Sequence, residues 1–134
     1  MADSQAPHDP ELAERDGAVF DMARTGDTAR LAAYVDAGVP VDLANDKGDS
    51  LLMLAAYHGH VSAVRMLLEH GADPNTLNER GQSPLAGAVF KAESEVVKTL
   101  LDAGADAEAG TPSARAAAEM FGQSRYLEWF TTSR

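Results

Sequence analysis

The sequence predicts an all-α solenoid of about four stacked helix-turn-helix units, with short hairpin-like fingers between them and end units acting as caps. Three observations predict it. Glycines recur 33 residues apart at Gly38, Gly71 and Gly104. The same step relates Gly26 to Gly59, Gly48 to Gly81, Leu52 to Leu85 and Ala55 to Ala88, and carries Leu67-Leu68 onto Leu100-Leu101. Between the glycines, apolar residues fall at helical spacing, as at Val61, Val64, Leu67 and Leu68. A module this short cannot bury its apolar face alone, so neighbouring copies must stack.

The elements follow in chain order. Residues 1–9 read as a flexible tail, and 10–134 as a single domain with units near 10–44, 45–77, 78–110 and 111–134. The first unit opens with Asp9 as a cap and Pro10 at the first helical position. Leu12, Val19, Phe20 and Ala23 then make its apolar face. In the second unit Ser50 caps a helix running to about His58, and Gly59 ends it. A second helix from about Val61 to Glu69 stops at Gly71, which takes the left-handed conformation. The third unit repeats this plan with Ser83, Pro84 and Gly104.

The connectors Val39 to Lys47 and Ala72 to Arg80 end in Asn45-Asp-Lys-Gly48 and Asn78-Glu-Arg-Gly81, the asparagine-first, glycine-fourth pattern of a type I turn. Each projects as a finger. The last unit aligns at a step of 30 (Ala92 to Gly122, Val97 to Leu127, Leu100 to Phe130), three residues short between Gly104 and Pro112, so its finger is expected to be missing. Arg115 and Glu119 there replace Leu85 and Val89, the polar outer face of a cap. Trp129 is expected to cover the end of the stack.

Composition narrows the function. The chain has 134 residues, a 45% apolar fraction and no cysteine, which suits one packed domain and leaves no disulfide, thiolate zinc site or cysteine nucleophile. A net charge of −10 repels nucleic acid and anionic membranes, and the basic residues are scattered singly between acids. The segment from Met1 to Asp9 lacks the basic end and apolar run of a signal peptide. No apolar run reaches the length of a membrane span. The reading is a soluble cytoplasmic protein with neither nucleic acid nor membrane as partner.

On these residues the sequence resembles the ankyrin repeat. That family's pattern of Thr-Pro-Leu-His, Ala-Ala, Gly-His, paired leucines and Gly-Ala-Asp is matched by Gly48-Asp-Ser-Leu-Leu52, Ala55-Ala56-Tyr57-His58-Gly59-His60, Leu67-Leu68 and Gly71-Ala-Asp-Pro-Asn75. The third unit shows Gly81-Gln-Ser-Pro-Leu85, Leu100-Leu101 and Gly104-Ala-Asp106. The resemblance runs from roughly Gly17 to Phe130. Met53 and Ala86 stand in place of the family's histidine, Leu51 in place of its proline, and Ala92-Glu93 in place of Gly-His. The stretch Ala118-Glu-Met-Phe-Gly122 is similar to small bacterial ankyrin proteins.

The resemblance implies a protein-binding adaptor or regulator, not an enzyme, that uses its fingers and first helices. Its partner positions carry over to Arg24 and Thr25; to Asp46, Lys47, Asp49, Tyr57 and His58; to Glu79, Arg80, Gln82, Phe90 and Lys91; and to Met120 and Phe121. Arg24, Tyr57, Phe90 and Met120 share one column of the repeat, and such side chains are enriched in interface cores. Tyr57 and Phe90 are the expected anchors; the alternative is that their rings merely pack along the helix. Asp42, Asp46, Asp49, Asp73 and Glu79 make the finger side acidic, which predicts a partner protein with basic residues at the rim. An accessory subunit that stabilises or inhibits an enzyme needs the same surface and remains a second reading. A monomer is the default because both ends are capped; a self-complementary Tyr57–Phe90 patch would give a weak homodimer.

The remaining chemistry is sparse. His58-Gly-His60 with His70 is the best metal constellation and the basis of a remote metal-hydrolase reading. His58 is expected to point to the concave side and His70 to sit at the far end of the second helix, so no metal site is assigned. Glu93 and Glu95, two apart on a helix, diverge. With no Gly-x-Ser-x-Gly elbow, phosphate loop or dinucleotide fingerprint, neither a catalytic residue nor a cofactor is assigned.

Overall fold

The computed structural model describes residues 10–132, with side chains from Glu14 to Thr131. The expected tail 1–9, the Asp9 cap and the side chain of Leu12 lie outside the described residues. Among those described there are four helix pairs: α1 (Pro10–Thr25) and α2 (Thr28–Asp36), α3 (Leu51–Tyr57) and α4 (Val61–Glu69), α5 (Pro84–Phe90) and α6 (Ser94–Asp102), α7 (Ala114–Met120) and α8 (Ser124–Thr132). The odd-numbered helices pack in a row, α1 on α3 on α5 on α7, and the even-numbered helices form a second row behind them. This is an all-α stack of repeated pairs.

Local chemistry explains each start and stop. The Ser50, Ser83 and Ser113 hydroxyls accept the N–H groups of Met53, Ala86 and Ala116, satisfying one orphan donor at each inner helix. These caps supply the polar tie that Met53 and Ala86 lack as side chains. The core lies between the rows. Leu31, Leu52, Val64, Leu67, Leu85, Val97, Leu100 and Phe130 are buried, as are Val19, Phe20 and Ala23 of the first pair. Each of these valine, leucine and phenylalanine side chains contributes roughly 1.5–3 kcal/mol by leaving water. Tyr126, fully buried, bonds Ser94 through its hydroxyl at 2.7 Å and joins the last pair to the one before. Trp129 is half-buried, its ring 5.2 Å from that of Tyr126.

The fingers are ordered turn by turn. Gly48 N–H donates to Asn45 and Gly81 N–H to Asn78, closing the expected turns. Each asparagine carboxamide oxygen also accepts two backbone N–H groups of its own turn. Adjacent fingers touch through backbone: Glu79 N–H donates to Lys47, and Thr111 N–H to Gly81. Gly48 is required twice over. Its φ is +78°, and a Cβ there would sit 2.8 Å from the Glu79 nitrogen.

The last connector differs from expectation. Its finger is shortened rather than missing, since Gly110 and Ser113 pair across a tight turn at Thr111-Pro112. Three fewer residues remove the tip but keep the bond that seats it on Gly81. Arg115 spans the outer face, paired with Glu108 and with its guanidinium 5.7 Å from the Phe130 ring centre.

Candidate functional site

Tyr57, Phe90 and Met120 are the last residues of α3, α5 and α7, so stacking places them in one row above the concave face. They stand 37%, 56% and 67% exposed, and Phe121 beside them 47%. The Phe90 and Phe121 rings meet edge to face at 5.4 Å, and Lys91 Nζ lies 4.8 Å from the centre of the Tyr57 ring. The row borders a hollow of about 500 Å³ between the fingers and inner helices. Its floor is Met53, Leu54, Ala86, Gly87 and Ala117, and its finger-side rim is Asp49, Asn78, Arg80, Gln82 and Pro112. Asn78 Nδ2 holds that rim together by donating to Asp49 at 2.8 Å and to Gln82 at 2.9 Å.

Seven of the expected partner positions therefore meet around one hollow: Asp49, Tyr57, Arg80, Gln82, Phe90, Met120 and Phe121. The others lie outside it. Asp46 and Lys47 are exposed at the tip of the first finger, and Glu79 is exposed on the next. His58 stands edge-on to Tyr57 at 5.4 Å. Arg24 is paired with Asp21 at 2.7 Å, and the Thr25 hydroxyl donates to the Asp21 carbonyl.

The histidines have separate surroundings. His60 Nε2 donates to the Arg24 carbonyl at 2.7 Å and ties the second pair to the first. His58 stacks on His60 at 6.4 Å; partial burial, then His60, Lys91 and Arg24, hold its imidazole below the usual value. His70 lies on the back row. Its Nδ1 meets the Met66 carbonyl at 2.8 Å and its Nε2 meets Asp36 at 2.9 Å. With an acceptor at each ring nitrogen the protonated ring is favoured: the Met66 bond, followed by Asp36, raises its pKa. Among the described residues no three His, Asp or Glu side chains gather as metal ligands. Nor is any described helix long and apolar enough to cross a membrane.

The family model for ankyrin repeats matches residues 19–111 as three copies. This chain belongs to the ankyrin-repeat family. Ankyrin repeats are generally protein–protein interaction modules, and the family is typically non-enzymatic. An ankyrin repeat protein of Pseudomonas aeruginosa is 49% identical over 67 residues, which is 49% of this chain and 39% of that one. The crystal structure of the human ASB11 ankyrin repeat domain superposes with a TM-score of 0.76 at 28% identity, covering 87% of this chain and 53% of that one. The chain thus spans about half or less of the length of these relatives.

Sequence reasoning missed the floor of the ankyrin groove. The hollow is deep because Gly87 occupies the place that Leu54 fills one repeat earlier, 33 residues back. The column reads Asp21, Leu54, Gly87 and Ala117, so the sequence shows a small residue there but not the space it leaves.

Proposed function

We propose that this ankyrin-repeat chain is a non-catalytic adaptor or regulator that holds a partner protein on its finger and inner-helix face. One observation carries the reading. Four large apolar side chains, Tyr57, Phe90, Met120 and Phe121, stand exposed together above a core that is closed without them. Water-exposed aromatic rings in a continuous patch mark interaction surfaces in soluble proteins. Tyr57 and Phe90 are the anchors, and the remaining partner positions form the rim. The partner carries basic residues there. The chain acts in the cytoplasm as a monomer through a single ankyrin-repeat domain, and no cofactor enters its function.

The test is affinity capture from the source cell with the Tyr57→Ala/Phe90→Ala double variant. Each truncation is expected to cost about 2 kcal/mol of binding, so capture falls well over tenfold. The unfolding midpoint should stay close to that of the parent protein. Unchanged capture accompanied by lost stability would overturn the proposal.

A further inference from the structure

Gly87 lies in the middle of α5, where glycine is among the poorest helix formers. Nothing in the stack calls for it. Its φ is outside the left-handed region populated by the turn glycines. A Cβ at this position would meet Tyr57 Cδ1 at 3.5 Å and Met53 Sδ at 3.7 Å, both ordinary contacts. A larger residue therefore fits, and Leu54 holds the equivalent place on α3, nearly buried. What the glycine does is leave a hole. With Tyr57, Phe90 and Met120 as walls, the hollow is of a size that encloses one bulky group between apolar surfaces.

Charge identifies what carries that group. The finger segments 39–50, 72–83 and 105–113 hold seven carboxylates (Asp42, Asp46, Asp49, Asp73, Glu79, Asp106 and Glu108) against two cations, Lys47 and Arg80. On the rim itself Asp49 and Arg80 cancel, so the sign of the field comes from the fingers as a whole. We infer that Gly87 floors a socket for a single large apolar side chain, presented on an extended, lysine- or arginine-rich segment of the partner protein. This rests on the partner-binding reading above and adds to it the residue that sets specificity: filling the hole excludes the anchor while leaving the rest of the surface in place.

Three synthetic heptapeptides test it by titration calorimetry. One has a central tryptophan flanked by lysines and glycines. The second replaces the tryptophan with alanine, and the third replaces the lysines with glutamates. The lysine–tryptophan peptide should bind, and each of the others should bind at least about tenfold more weakly. Gly87→Leu should weaken the lysine–tryptophan peptide by a similar factor, with an unfolding midpoint no lower than the parent's. Gly87→Ala, which adds one methyl group, should weaken it less and provides the same readout if leucine disturbs the helix. Equal binding of the tryptophan and alanine peptides, preference for glutamate, unaltered binding to both Gly87 variants, or binding of no peptide would each overturn the socket. Such a failure leaves cellular capture sensitive to Tyr57 and Phe90. Failure of the underlying reading appears instead as capture insensitive to their removal.

Discussion

The second and third helix pairs share caps, turn asparagines and buried leucines, yet three of the positions at which they depart lie in or just after the inner helix and bear on stability at every pH. After α3 the chain turns through Gly59 at φ +77°, and His60 then bonds back to the preceding pair. After α5 the same turn is made by Ala92 at φ +57°, a left-handed alanine that costs about 1–2 kcal/mol. Glu93 follows in the place of His60 and, as a carboxylate, has no proton to donate to a carbonyl. The third departure is Gly87 for Leu54. The second pair is thus built for stacking, while the third gives up stability at Gly87, which lines the hollow, and in the turn that follows the same helix. Where a repeat is less stable than its neighbour can show it could be, the difference points to a task other than folding.

Several measurements can break or sharpen this contrast. The largest effects should be equal in the two pairs. Leu52→Ala and Leu85→Ala remove buried side chains at equivalent sites, and each should cost about 2–5 kcal/mol in urea unfolding. A clear inequality would mean that the cores, and not only the turns, differ. Next come the turns, where opposite signs are expected. Gly59→Ala should destabilise by about 1–2 kcal/mol or more, because it adds left-handed strain and a Cβ 2.5 Å from the Glu93 carboxylate. Ala92→Gly should stabilise by about 1 kcal/mol.

The smallest effect is pH dependence, and it belongs to the second pair alone, since Lys91 and Ala103 replace His58 and His70 in the third. The raised pKa of His70 means that its bonds to Met66 and Asp36 stabilise the fold fully below the unfolded value near 6.5. That contribution is lost as pH rises through the higher folded value. His58 has the opposite sign: its lowered pKa favours the neutral ring, so it disfavours folding as pH falls below 6.5. The stability gap between the parent and His70→Gln should therefore be present at acidic pH and close at alkaline pH. A gap that widens on the alkaline side would contradict the assignment.

Much of the fold was legible from spacing. Gly38, Gly71 and Gly104 mark left-handed stops, and Ser50, Ser83 and Pro84 mark starts, because these residues act through their own backbone or their nearest neighbours. The shortened finger at Thr111-Pro112 was misjudged as missing. A count of residues records a deletion but not whether the remaining chain can still close a turn against Gly81. The row of exposed side chains was also readable, since Tyr57, Phe90 and Met120 occupy one column of the repeat. The hollow beneath them was not, because its depth is set by what three different helices leave empty. The role of Tyr126 is hidden in the sequence for a related reason: its hydroxyl finds Ser94 only once two pairs are stacked.

The central claim is that the third pair forgoes stability it could have for the sake of its groove. Urea unfolding of the triple variant Gly87→Ala, Ala92→Gly, Glu93→His tests it most directly, since the three changes improve the helix, relax the turn and restore a donor. The account predicts a variant more stable than the parent by about 2 kcal/mol. A variant equal to or weaker than the parent would show that these residues serve the stack itself, and would contradict the account.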